Sequence, residues 1–121
     1  MTNGIDAYRR IQREAAPDEA SMGTLLRVLV DSILVGRRAI MQSDFATSNK
    51  HLLAAQQVLL QLRSSMRDAA GELDQNLNDL YAWSEMTLGK ANTSHDTALV
   101  DSVVSVLSNL RNGFEGVSEG G

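Results

Sequence analysis

The sequence predicts an all-α protein, an antiparallel up-down four-helix bundle with a short N-terminal arm. Apolar residues recur in steps of three and four in four successive segments, which is the spacing of one helix face. Short polar stretches that suit turns and helix caps separate these segments, and no alternating strand pattern stands beside them. Helices of about twenty residues joined by loops of about two to five favour packing between chain neighbours.

The first helix is predicted to run from about residue 17 to 42. Pro17 suits the first helical position, and the carboxylates of Asp18 and Glu19 are favoured near the positive end of the helix dipole. The apolar stripe of this helix consists of Leu25, Leu29, Ile33 and Ile40.

The second helix is predicted to begin after Asp44, whose carboxylate can cap its N-terminus. Its inner positions alternate steps of three and four without a break, which makes it the most regular pattern in the sequence. These positions are Phe45, Ser48, Leu52, Ala55, Leu59, Leu62, Met66 and Ala69.

The third helix follows Gly71 and is predicted to end within residues 90–94, and Ser94 or Asp96 can cap the fourth. The third stripe consists of Leu73, Leu77, Leu80, Ser84, Leu88 and Ala91. The fourth stripe consists of Val100, Val103, Leu107, Leu110, Phe114 and Val117. Because the fourth helix is rich in β-branched valines, packing rather than intrinsic propensity must hold it.

Three regions are expected along the chain. Residues 1–16 carry Ile5, Tyr8 and Ile11 at helical spacing, too few apolar side chains for a fifth bundle helix, so they are predicted to form a mobile arm. Residues 17–117 form the bundle, and residues 118–121 are predicted to be a disordered tail.

Composition excludes several classes of function. The net charge is −4 with a pI near 5.0, and no basic stripe exists that could neutralise a run of nucleic-acid phosphates. There is no cysteine, so thiolate chemistry and disulfides are excluded. The longest apolar region is short and interrupted by Asp31, so no membrane insertion is expected. These features predict a soluble protein of the cytosol.

The sequence offers no convergent set of catalytic groups, so an enzyme is not expected. One alternative is a histidine phosphotransfer domain, which is also a four-helix bundle, with His51 accepting the phosphate. Ala54 and Ala55 stand where that family carries an assisting lysine and a small residue, which favours a solvated surface histidine beside Lys50. A second alternative is a cation site formed by Glu72, Asp74 and Asp79, but a solvated helix start explains these acids better.

Apolar residues exceed what the four stripes need. The additional ones are Val28, Val30, Leu34 and Val35 in the first helix, Tyr81, Trp83 and Met86 in the third, and Leu99, Val104 and Val106 in the fourth. Part of this surplus widens the core, and the rest predicts an apolar surface groove for another chain. Tyr81 and Trp83 point roughly 200° apart on a helix, so one ring is expected to pack inward and the other to face outward.

Four blocks of sequence resemble one family. They are GIDAY at residues 4–8, Pro17 followed by Leu25 and Leu29, NLNDLYAWSEMTLGKAN at residues 76–92, and VLSNLRNGF at residues 106–114. On these blocks the chain resembles the flagellin-specific export chaperones of the bacterial flagellar secretion system, the FliS family. It departs from the family pattern at residues 30–32, where an aromatic residue and a glycine are usual, and at Phe114, where a tryptophan is usual.

The resemblance implies a cytosolic chaperone that binds the C-terminal segment of flagellin, prevents its premature polymerisation and passes it to the export apparatus, with no cofactor. The implied partner-binding groove consists of Leu80, Tyr81, Trp83, Val100, Val104 and Leu107. Ile5 and Tyr8 of the arm are implied to cover this groove when it is empty. A helical adaptor or a secretion chaperone with different cargo is the alternative, and homodimers of the cargo-free chain are left open.

Overall fold

The computed structural model describes residues 22–65 and 71–117. Within these residues the chain forms no strand and four helices, α1 (Met22–Met41), α2 (Phe45–Ser65), α3 (Glu72–Ser94) and α4 (Thr97–Val117). The predicted all-α four-helix architecture is therefore confirmed. The expected helix start at Pro17, the arm and the tail lie outside the described residues.

The four helices pack as a ring of neighbours. α1 packs along α2 and α4, and α3 packs along the same two helices. Within the described residues the backbones of diagonal helices do not pack closely, although the Tyr81 side chain of α3 reaches Met22 of α1. Arg37 near the end of α1 pairs with Asp101 near the start of α4, and Asn49 near the start of α2 bonds to Asn92 near the end of α3. Such end-to-start pairings are those of antiparallel neighbours. The α3–α4 contact is the least extensive of the four.

The core lies along the bundle axis and takes side chains from every helix. The large side chains with essentially no exposed surface are Leu26, Leu29, Val30, Ile33, Leu52, Leu59, Tyr81, Leu88, Val100, Val103 and Leu107. Most of them occupy the predicted stripes, because a three-and-four repeat selects one helix face. The buried side chains are mainly apolar, so removing hydrocarbon surface from water is the main driving force of core formation. The buried polar residues are Ser32, Ser48, His51, Ser84 and Thr87.

Two phenylalanines that the stripes placed in the core are partly exposed instead. Phe45 is 41% exposed and Phe114 is 40% exposed. Phe45 is the first residue of α2, where the ring stacks on that of His95 with 3.8 Å between the centroids. Phe114 lies in the last turn of α4. Helix ends have fewer neighbours than helix centres, so a correct repeat does not guarantee burial there.

Aspartates begin two of the helices. The N–H of Thr47 donates to Asp44 Oδ1 over 3.2 Å, and hydrogen bonds from the side chain and backbone of Thr47 lower the pKa of Asp44. The N–H groups of Ala98 and Leu99 donate to Asp96 Oδ1 over 2.9 and 3.3 Å. The cap predicted at Asp44 is confirmed, and Asp96 rather than Ser94 caps α4.

Gly36 sets the distance between α1 and α2. A Cβ atom built on Gly36 would lie 3.0 Å from Leu52 Cδ2 and 3.1 Å from Leu52 Cγ, both in a fully buried side chain. Ordinary carbon contacts are about 3.5 to 4.0 Å. The absence of a side chain at Gly36 is therefore what lets the two helices approach so closely.

A Gly36→Ala variant is expected to be less stable than a matched Gly113→Ala variant by about 1 to 3 kcal/mol. Both substitutions gain the same helix propensity, about 1 kcal/mol. Only the first forces Leu52 to move, because no described residue lies within 4 Å of the Cβ position at Gly113. Urea unfolding followed by circular dichroism measures the difference. Equal stability of the two variants would show that the α1–α2 contact does not depend on Gly36.

Candidate partner-binding surface

The rings of Tyr81 and Trp83 lie in different environments. Tyr81 is completely buried and is the largest fully buried side chain among the described residues. Its hydroxyl donates to Met22 Sδ over 3.7 Å, and burial raises the pKa of its phenol. Trp83 packs against the edge of the core and remains partly exposed. Tyr81 is thus the inward ring of the pair and Trp83 the outward one.

Trp83 lines an open pocket of about 510 Å³ between α2 and α3. The pocket is formed by Gln56 and Arg63 from α2, and by Asp79, Ala82, Trp83, Glu85 and Met86 from α3. Its apolar wall is made by the indole, the Ala82 methyl group and the Met86 side chain, which is 57% exposed. A partly exposed indole beside an exposed thioether provides a surface that apolar side chains of another chain can cover.

An ion pair crosses the pocket from helix to helix. Arg63 Nη1 donates to Glu85 Oε2 over 2.7 Å, and both side chains are partly exposed. Three charged side chains line the pocket, those of Arg63, Asp79 and Glu85. The ion pair neutralises the charges of Arg63 and Glu85, so the carboxylate of Asp79 remains as the net charge of the pocket lining. Among the described residues, Arg63 Nε has no hydrogen-bond partner although it is buried.

Beside the pocket, the side-chain amide of Gln56 on α2 lies close to the backbone of α3 at Gly89. A Cβ atom at Gly89 would lie 3.0 Å from Gln56 Nε2, so the glycine makes room for the amide. Met86 and Gly89 are one turn apart on α3. The ion pair between Arg63 and Glu85 joins the two helices beside Trp83, and the Gln56 amide fills the space that a side chain at Gly89 would take.

The predicted groove residues are divided between the interior and the surface. Tyr81, Val100 and Leu107 have no exposed surface, whereas Leu80, Trp83 and Val104 are partly exposed. Val100 and Leu107 also belong to the predicted core stripe of α4, and the core takes them. The six residues therefore do not line one open surface, and their role in partner binding stays a prediction. Ile5 and Tyr8 lie outside the described residues.

Sequence reasoning missed the contribution of α2. Gln56 and Arg63 complete the pocket, and Leu53 and Leu60 on α2 are 40% and 49% exposed. A signal was present, because the two leucines stand seven residues apart, outside the inner stripe. The sequence assigns Met86 only to the apolar surplus, although its spacing of three residues from Trp83 puts both on one helix face.

His51 is not the solvated surface histidine that the sequence predicted. Its side chain is buried, at 9% exposure, and its Nδ1 lies 3.3 Å from Ser32 Oγ across the α1–α2 contact. The reason is its position beside Leu52 on the face of α2 that meets α1 close to Gly36. An imidazole enclosed in this way is closed to a phosphate donor, which argues against the phosphotransfer alternative.

The cation site that the sequence offered as an alternative finds no support in the parts of the chain that the structure covers. Within residues 22–65 and 71–117, no group of three acidic or histidine side chains is arranged to hold a metal ion. Glu72 and Asp79 are exposed and Asp74 is partly exposed, in the first turns of α3. None of the four described helices has the length and hydrophobicity that a membrane crossing requires.

Comparison with known proteins places this bundle in a family. Residues 1–120 match the family model described as flagellar protein FliS. The flagellar secretion chaperone FliS of Salmonella typhimurium is 29% identical over 96% of this chain and 90% of its own length. FliSB of Pseudomonas aeruginosa, a flagellar secretion chaperone, is 28% identical over 92% of both chains. FliS of Vibrio cholerae is 22% identical over 95% of this chain and 88% of its own. The chain therefore belongs to the FliS family of flagellar proteins.

Proposed function

We propose that this chain is a cytosolic flagellar export chaperone that binds the C-terminal segment of flagellin and prevents its polymerisation before secretion. The observation that carries the proposal is the open pocket beside Trp83. Family membership supports it, since the relatives compared above bear the name of flagellar secretion chaperones.

The pocket suits an apolar side chain on a helical or extended segment. Trp83 is already held in place by the core on one side, so covering its open side orders few additional atoms. Tryptophan in a partly enclosed site is the residue type that most often dominates binding energy at interfaces. Met86 adds a flexible apolar surface that can adjust to more than one side-chain shape.

The role proposed for the bundle is to supply apolar surface to a segment that has no fold of its own. A segment that orders on contact gains apolar contacts but loses conformational entropy at the same time. Because the entropy loss offsets part of the contact energy, the complex can dissociate without any chemical step. While the segment is covered, the surfaces that flagellin uses to join a filament are not available. Release to the export apparatus then requires only competition for the same contacts.

Light scattering during flagellin assembly tests this function. Flagellin from the same organism is expected to stop polymerising when an equal amount of the chain is present, because its C-terminal segment is occupied. Flagellin shortened at its C-terminus is the control for binding, and isothermal titration should detect no heat with it. Unimpeded assembly at equal amounts, or equal binding of the shortened flagellin, would contradict the proposal.

A further inference from the structure

The outward face of α3 carries an ordered pattern of charge. Asn76, Asp79, Trp83, Met86 and Lys90 follow one another in steps of three and four, so they share one face, named here the α3 stripe. All of them are exposed except Trp83, which is partly exposed. After Asn76, the stripe carries an acid at Asp79, two apolar residues at Trp83 and Met86, and a base at Lys90.

The two charges of the α3 stripe, Asp79 and Lys90, form no ion pair within the part of the bundle that the structure describes. The neighbouring Glu85, by contrast, is neutralised by Arg63. Asp79 and Lys90 are eleven residues apart, which corresponds to about 16 Å along the helix axis. The stripe therefore presents a negative end and a positive end on either side of an apolar centre.

The charge pattern of this stripe is complementary to that of a second copy of the stripe that runs in the opposite direction. Consider two α3 helices that lie antiparallel and cross at Ser84 and Glu85. Asp79 of each copy then faces Lys90 of the other copy, and Trp83 of each copy faces Met86 of the other copy. Both ion pairs are then attractive, and both apolar contacts join a thioether to an aromatic ring. A parallel alignment in the same register would instead set Asp79 against Asp79 and Lys90 against Lys90.

We propose that a second copy of this chain docks on the α3 stripe through a two-fold contact in which the two α3 helices run antiparallel. Steps of three and four are also the repeat by which two helices pack side by side. One helix pair is a small interface, below the roughly 1,200 Å² of stable complexes, so the dimer forms at high protein concentration. The contact covers Trp83 and Met86, so dimer formation competes with any partner of the pocket.

Charge reversal in single and paired variants tests this arrangement. Asp79→Lys and Lys90→Glu each turn both ion pairs into repulsions and are expected to weaken self-association about tenfold or more at low salt. An equimolar mixture of the two single variants restores both attractions in a heterodimer, and the double variant restores them in a homodimer. Sedimentation equilibrium from micromolar to millimolar concentration measures all four cases.

Asp31→Lys is the matched control, since Asp31 is exposed on α1, the helix diagonal to α3. It changes the net charge as Asp79→Lys does and is expected to leave the dimer in place. Circular dichroism checks that every variant is folded. A chain that stays monomeric at millimolar concentration, or folded variants whose mixture and double form fail to associate, would overturn the proposal. The inference does not depend on flagellin binding, which the assembly assay tests separately.

Discussion

A Tyr81→Ala variant is expected to have a free energy of unfolding about 3 to 5 kcal/mol lower than that of the unmodified chain. The ring has no exposed surface and is surrounded by the core. Truncation removes its buried apolar area and leaves a cavity that the close-packed helices can only partly fill. Because small domains are stable by only about 5 to 15 kcal/mol, a loss of this size brings the bundle near its unfolding threshold.

Urea denaturation measured by circular dichroism gives the size of this loss, and Tyr81→Phe is its control. The phenylalanine keeps the ring and removes only the hydroxyl contact to Met22 Sδ, so we expect a small change at neutral pH. A Tyr81→Ala variant within about 1 kcal/mol of the unmodified chain would contradict the central position of this ring.

The same pair of variants gives a pH dependence. Burial raises the pKa of Tyr81 above the ordinary value of 10.0, so the folded chain resists ionisation that the unfolded chain accepts. The protonated phenol of the folded chain therefore contributes to the free energy of unfolding. This contribution is fully present below pH 10.0 and is lost as the pH rises through the pKa of Tyr81 in the folded chain. Stability of the unmodified chain should therefore fall more steeply in this alkaline range than that of Tyr81→Phe.

A Trp83→Ala variant is expected to bind the flagellin C-terminal segment about 2 kcal/mol more weakly, which is roughly a thirtyfold loss of affinity. The indole is the one aromatic side chain that lines the pocket, and its loss leaves Met86 and Ala82 as the remaining apolar lining residues. Helicity should be retained, because the ring lies at the edge of the core and not within it. Trp83→Ala should thus lower binding far more than stability, which is the reverse of Tyr81→Ala.

Titration calorimetry with a flagellin C-terminal peptide measures the affinity, and circular dichroism measures the fold. Leu34→Ala is the matched control, since Leu34 is an apolar side chain at 37% exposure on α1, away from the pocket. We expect its affinity to equal that of the unmodified chain. Equal affinity for Trp83→Ala as well would show that the partner does not use this pocket.

Local signals in the sequence were sufficient for the helices. The repeat of apolar residues at steps of three and four predicts each buried face, and Asp44 and Asp96 mark two helix starts, because a side-chain oxygen satisfies N–H groups that the helix itself leaves unpaired. These are interactions between residues close in the chain. For that reason the helices and their caps can be predicted largely from a single sequence.

The pocket could not be predicted in the same way, because it depends on which side chains of α2 stand opposite Trp83. The apolar repeat of α2 predicts which face of the helix is buried. It does not predict that Arg63 forms an ion pair with Glu85 or that the Gln56 amide packs against Gly89. His51 shows the same limit. It stands three residues after Ser48 and four before Ala55 and so borders the predicted inner stripe, but the close approach of α1 at Gly36, which completes its burial, is not visible in the sequence.

The position of Trp83 has a practical consequence. It is the single tryptophan of the chain, so all indole fluorescence originates at the mouth of the α2–α3 pocket. Any molecule that settles there removes water from around the fluorophore and shifts its emission to shorter wavelength. The protein thus contains its own optical reporter of occupancy, and no dye has to be attached to follow association in real time.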